Sequence, residues 1–134
     1  MKKTAAGRKP TPTEEAEQIA VFRWAELQTQ RYPFLRYLYH TPNGGKRDRV
    51  TAAKLKAAGV KKGVPDICLP VPLGGYHGLY IEMKVGDNKP TNDQEDWLDA
   101  LSGFGYRTAV CYGFDEAVEE LKKYIDLAGG KDIV

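Results

Sequence analysis

The chain has 134 residues, 42% of them hydrophobic and 28% charged, with a formal net charge of +2. That suits one globular domain with a core of its own, and no apolar run reaches the roughly 20 residues of a membrane helix. Lys2, Lys3, Arg8 and Lys9 have no apolar stretch behind them, which excludes a secretory signal, so a cytoplasmic protein is expected.

Residues 1–10 are basic and small and read as a tail; the domain is expected over 11–128, with a short tail at 129–134. Thr11, Pro12 and Glu14 predict a helix start, with Thr11 as cap, and the helix runs to about Gln28. Ala20, Val21, Trp24 and Leu27 or Gln28 form its apolar stripe, widened by Ile19 and Phe22. Glu17 sits at the edge of that stripe, either as a snorkelling carboxylate or as an acid turned toward a site.

The aromatic stretch Tyr32, Phe34, Tyr37, Tyr39 predicts a strand near Leu35 to His40, and its rings suit core packing more than stacking on bases. A turn-rich loop from Thr41 to Arg47 follows, then a helix over Asp48 to Ala58 closed by Gly59. Seven basic residues (Lys46, Arg47, Arg49, Lys54, Lys56, Lys61, Lys62) stand against one acid, Asp48, between positions 46 and 62. A solvated face is the plain explanation; a polyanion-binding surface is the one that fits what comes next.

Asp66 to Leu69 and Leu79 to Lys84 read as strands joined by a Pro- and Gly-rich connection. Strand alternation sets Leu79, Ile81 and Met83 on one face and Tyr80, Glu82 and Lys84 on the other. Thr91 and Gln94 form a second capping box. Gln94 shares a helix face with Trp97, Leu98 and Leu101, so its amide either turns inward or simply caps the Thr91 turn. Tyr106 to Tyr112 predicts a buried strand, and the last helix starts at Phe114-Asp115, with Asp115 as cap. Cys68 and Cys111 lie in apolar runs and read as reduced, buried thiols rather than a disulfide.

The order α-β-α-β-β-α-β-α predicts a mixed β-sheet with helices on its faces, an α/β fold in which the last two strands are parallel and the earlier ones antiparallel. A phosphate-binding Gly-x-x-x-x-Gly-Lys-Ser/Thr loop and a Gly-x-Gly-x-x-Gly turn are absent, and the only serine, Ser102, has no histidine nearby. What remains is the acidic corner. Asp66 and Glu82, with the Met83 backbone carbonyl, can supply oxygen ligands to Mg²⁺, with Mn²⁺ as a substitute. Such an ion neutralises a phosphodiester and acidifies a bound water. Lys84 can then orient the attacking water or help deprotonate it, orientation being the expected role, and counter charge on phosphorus; Glu17 can reach the metal through water or help hold a second ion. The competing explanation is a surface ion pair between Glu82 and Lys84.

Gly63-Val-Pro-Asp66, Leu79-Tyr-Ile-Glu82-Met-Lys84 and Gln94-Glu-Asp-Trp-Leu98, with Glu17-Gln18, Asn43-Gly44 and Leu55 to Gly59, together resemble the virus-type replication-repair nuclease (VRR-NUC) domain, a branch of the PD-(D/E)xK superfamily. The resemblance spans roughly residues 14–125. It implies a restriction-endonuclease-like sheet core and a Mg²⁺-dependent endodeoxyribonuclease with Asp66 and Glu82 as ligands and Lys84 as catalytic lysine. Gln94 and Glu17 are the implied further catalytic residues. Asn43, Lys46, Arg47, Arg49, Lys54, Lys56, Lys61 and Lys62 are the residues expected to contact DNA. Stand-alone phage and bacterial members are similar to Holliday-junction resolvases, which implies branched or four-way DNA as substrate and a homodimer; separately from the resemblance, the aromatic segment 32–39 is taken as part of its interface. A general nicking or restriction-like nuclease and a non-catalytic DNA-binding module are the rival functions.

Overall fold

The computed structural model describes residues 12–42 and 48–129. Four strands form one sheet in the order β1-β2-β3-β4. They are β1 (Tyr39–His40), β2 (Ile67–Leu69), β3 (Leu79–Lys84) and β4 (Arg107–Tyr112). β1 pairs antiparallel with β2, and β2 antiparallel with β3, setting Cys68 opposite Tyr80. β3 and β4 are parallel, with Glu82 opposite Val110, as a crossover helix between them requires. The helices are α1 (Glu14–Gln28), α2 (Arg49–Ala57), α3 (Asn92–Gly103) and α4 (Gly113–Asp126).

The registers sort the sheet into two faces. Leu79, Ile81 and Met83 share a face with Ile67, Leu69 and Cys111, and α1 and α4 cover it through Val21, Ala25, Ala117, Leu121 and Tyr124. Tyr124 is fully buried, so its hydroxyl must be paired: it donates to the Val71 carbonyl (2.6 Å) and accepts from the Leu73 N–H (3.3 Å). Tyr80, Glu82 and Lys84 lie on the other face with Asp66 and Cys68. There α3 packs beside β4 and buries Leu98 and Leu101. Cys68 and Cys111 are free and buried on opposite faces, too well separated to bridge.

Four features differ from expectation. Thr11 lies outside the described residues, and the cap of α1 is Thr13, whose hydroxyl accepts the Ala16 N–H at 3.0 Å. Glu14 is thereby the first helical residue. The predicted strand over Leu35 to His40 shrinks to Tyr39–His40, because Pro33–Tyr37 forms a 3-10 helix. Pro33 supplies its first φ, and the tighter turn buries Phe34 and Leu35 against the core. β4 is an edge strand and mostly half-buried; only Cys111 is fully enclosed. The start of α4 is not capped by Asp115. Gly113, at φ +89°, turns the chain into the helix, and a carboxylate from α1 closes its end. In α1, Leu27 faces solvent, and Val21 and Ala25 alone are fully buried.

α2 forms where expected, with Asp48 accepting the Thr51 N–H at 2.7 Å and Gly59 at φ +106° beyond its end. It buries none of its residues. Among the described residues no helix is long and apolar enough to cross a membrane.

Candidate active site

The β2–β3 ladder cannot continue past Ile67 and Ile81 in the ordinary way. Extending its register puts Pro65 opposite Met83, and Pro65 has no N–H to donate. The missing donor leaves the Met83 carbonyl with no ladder N–H across from it, while the Met83 N–H is taken by the Asp66 side chain, whose Oδ2 accepts it at 2.8 Å. The two strands are thus pinned where they part, and the Asp66 carboxylate is held over β3 beside Glu82. By strand alternation the Met83 carbonyl faces the same edge as its N–H, toward Asp66.

Glu82 is 1% exposed and its Oε1 has no hydrogen-bond partner among the described residues. Its Oε2 lies 3.6 Å from Lys84 Nζ, and Lys84 is itself buried. The pair is therefore no surface ion pair. Burial pushes the Glu82 carboxyl up to about 8, the negative charge of Asp66 adds to this, and Lys84 opposes it. An orphaned buried carboxylate oxygen beside a second carboxylate is a costly arrangement, and a divalent cation is one group whose charge would offset that cost.

Asp66 and Glu82 floor a cleft of about 720 Å³, with Lys84 buried behind Glu82 and outside its lining. Its walls are the start of α1 (Glu14, Glu15, Gln18), the end of β1 (His40) and the start of α3 (Asp93, Gln94), with Lys62 and Gly63 at the rim. Gly63 is there for a steric reason. It is buried at φ +89°, and a Cβ on it would stand 2.6 Å from the Asp93 backbone, so the close approach of this loop to α3 admits only glycine.

The structure does not place Glu17 in the cleft. Its Oε1 accepts the Phe114 N–H at 2.8 Å and closes the N-terminus of α4, where a carboxylate is favoured by the helix dipole. Glu14, one turn earlier on α1, faces the cleft instead, and its charge also raises the Glu82 carboxyl. Helical spacing carries part of this signal, since Glu14, Glu17 and Gln18 fall on one side of the helix, but spacing does not say which acid meets the sheet. Gln94 does both things expected of it as alternatives. Its Oε1 accepts the Thr91 N–H at 2.9 Å in a complete capping box, and the side chain lines the cleft with its amide N–H₂ still available.

His40 joins the site without any warning from the sequence. It is an exposed residue of a two-residue strand, brought to Asp66 by pairing across 26 positions. The Asp66 carbonyl can only accept, so Nδ1–H donates to it at 2.7 Å and Nε2 is left as the free ring nitrogen. No local pattern announces such a bond.

Arg49, Lys54, Lys56, Lys61 and Lys62 are all exposed on and after α2, with Lys62 reaching the cleft. Asn43, Lys46 and Arg47 lie outside the described residues. Among the described residues no three His, Cys, Asp or Glu side chains converge as a ready metal cage. Two carboxylates and an open cleft fit Mg²⁺ nonetheless, since that ion is commonly held by one or two carboxylates, its waters and a substrate phosphate.

A model of the VRR-NUC domain matches residues 12–115. A solved structure described as a VRR-NUC domain protein is similar at a TM-score of 0.76 and 33% identity, over 88% of this chain and 92% of that one. No curated protein matches the chain.

Proposed function

Because this chain belongs to the VRR-NUC family of nuclease domains, we propose that it is a Mg²⁺-dependent endonuclease that hydrolyses phosphodiester bonds in DNA, selecting branched structures. The strongest support for this reading is the buried, unpartnered Glu82 Oε1 beside Asp66 at the floor of an open cleft.

Asp66, Glu82 and the Met83 carbonyl would hold the cation; when bound, it neutralises the scissile phosphate and acidifies a coordinated water. Asp66 keeps its orientation through the Met83 N–H, so one strand junction positions both carboxylates. Lys84 is buried and tethered by Glu82 at 3.6 Å, which aims its ammonium rather than letting it sweep solvent. In that position it orients the attacking water and meets the charge that builds on the phosphoryl oxygens. Gln94, anchored through Oε1, offers N–H donors to the same region. Glu14 takes the place in the cleft that Glu17 does not occupy, and would hold water or a second cation there.

The basic stretch through Arg49, Lys54, Lys56, Lys61 and Lys62 leads the DNA backbone toward this corner. A homodimer places two such clefts on the two strands of a junction. Tyr37 and Tyr39 are 55% and 48% exposed, and these are the rings of residues 32–39 available to a second copy, the buried Phe34 and Leu35 being closed to it.

The test is incubation of matched duplex, flap, single-stranded and four-way DNA with the protein in Mg²⁺, Mn²⁺ or chelator, beside a solution mass measurement. The expected result is metal-dependent nicking, strongest on branched DNA, lost in Asp66→Asn and Lys84→Met with binding retained. Binding without cleavage of any form by the unmodified protein supports the DNA-binding module instead.

A further inference from the structure

A second hollow, of about 290 Å³, opens beside the cleft along α1. Gln18, Ile19 and His40 line both, so the two are continuous, and Phe22, Arg23 and Glu26 line the second alone. Its surfaces differ in kind from those of the acid-rich cleft. Ile19 is a large aliphatic side chain left 47% exposed at the join. Phe22 is half-buried and packed against the core, which fixes its ring. The His40 ring is fixed as well, through the 2.7 Å bond from Nδ1 to the carbonyl of Asp66, the residue at the centre of the site. Beyond them Arg23 is exposed.

Moving away from the carboxylates, the protein therefore offers an apolar floor with two immobilised rings and then a guanidinium, with the exposed Glu26 carboxylate a turn further along α1. That order repeats the chemistry of a nucleotide chain: a phosphate at the acidic corner, a base beside it, the next phosphate beyond. We infer that this hollow is a nucleobase subsite, taking the base next to the scissile phosphate against Ile19, Phe22 and His40, with Arg23 on the following phosphate. The inference rests on the nuclease reading and adds a reason for substrate choice. A base inside a duplex stack cannot enter a side hollow without being extruded, and extrusion is easiest where the base is already unpaired. The subsite therefore selects cuts beside an unpaired nucleotide, as at a flap, a gap or a frayed branch point. His40 acts here through the plane of its ring and not through its charge.

The test uses the full chain and flap DNA carrying one 2-aminopurine, moved a nucleotide at a time across the cleavage region, with fluorescence read in chelator so that no cutting is needed. One position is expected to lose emission on binding, as its base stacks on the rings. An abasic site at that position should slow cleavage in Mg²⁺ about 10-fold, the scale of one base–aromatic stack. Ile19→Asp, an exposed replacement, should abolish the positional signal and cut abasic and intact DNA at equal rates; Ile19→Leu should restore the difference. Emission that is uniform across positions, or an abasic penalty equal in Ile19→Asp and the unmodified protein, overturns the subsite. Cleavage with uniform emission removes the subsite and keeps the nuclease. A positional signal without metal-dependent cleavage keeps the subsite and removes the nuclease.

Discussion

Replacing Glu82 by Gln keeps the shape of a side chain that is 1% exposed while removing its charge. In the metal-free protein the Glu82 carboxyl is pushed from 4.5 to about 8 by burial and by Asp66, against the pull of Lys84. A carboxyl raised on folding holds its proton in the native state while the unfolded chain has already lost it. Stability is then greatest below about pH 4.5, falls as pH rises toward 8, and levels off above. At 1.36 kcal/mol per pH unit, the loss accumulated between pH 4.5 and pH 7 is about 3 kcal/mol. The substituted amide cannot ionise, so this loss is absent from Glu82→Gln, which should be the more stable protein at pH 7 by about that amount, or roughly 10 °C in Tm. Its nuclease activity should be gone. Thermal melts in chelator at pH 5, 6, 7 and 8 read the effect: the unmodified protein should lose Tm across the series, and the variant should track it at pH 5 and exceed it increasingly above. Mg²⁺ should stabilise the unmodified protein most at pH 8, where the ligand is ionised, and leave Glu82→Gln unmoved. A Tm difference between the two proteins that does not change from pH 5 to pH 8 would refute the account of Glu82 as a desolvated carboxyl raised by burial and by Asp66.

Three further outcomes follow from the geometry. Gly63→Ala must force φ +89° on a residue with a Cβ and push it into the Asp93 backbone at 2.6 Å; the expected cost is about 2–3 kcal/mol in urea unfolding, with cleavage falling because the α3 wall moves. Glu17→Ala removes the acceptor for the Phe114 N–H and should cost about 1–2 kcal/mol by the same measurement, yet leave cleavage below the transition within a few-fold, whereas Glu14→Ala should do the reverse. Reversing Lys54, Lys56 and Lys62 to Glu should weaken DNA binding and flatten the dependence of log Kd on log salt, by up to about 0.9 for each phosphate no longer neutralised; an unaltered slope takes this surface off the DNA path.

Features with local causes are legible along the chain. Alternation in Leu79 to Lys84 specifies β3 to the residue and puts Glu82 and Lys84 on one face. The Thr91–Gln94 capping box and Asp48 mark two helix starts, and a crossover helix requires β3 and β4 to be parallel. Asp66, Glu82 and Lys84 are visible before folding only as a loose set: alternation puts Glu82 and Lys84 together among apolar neighbours, and the specificity of the pattern comes from the family resemblance.

Features that depend on a distant partner emerge only once the chain is folded. Pro33 opens a 3-10 turn instead of a strand because Phe34 and Leu35 gain a core to enter, which residue preference cannot register. Glu17 and Glu14 are equivalent in helical spacing; only the approach of Phe114, 97 positions away, makes one a helix cap and leaves the other to the cleft. His40 reaches Asp66 across 26 residues through two rungs of antiparallel pairing. In each case the deciding energy is a hydrogen bond or a buried surface between segments far apart in the chain, and a pattern read along the chain contains no measure of it.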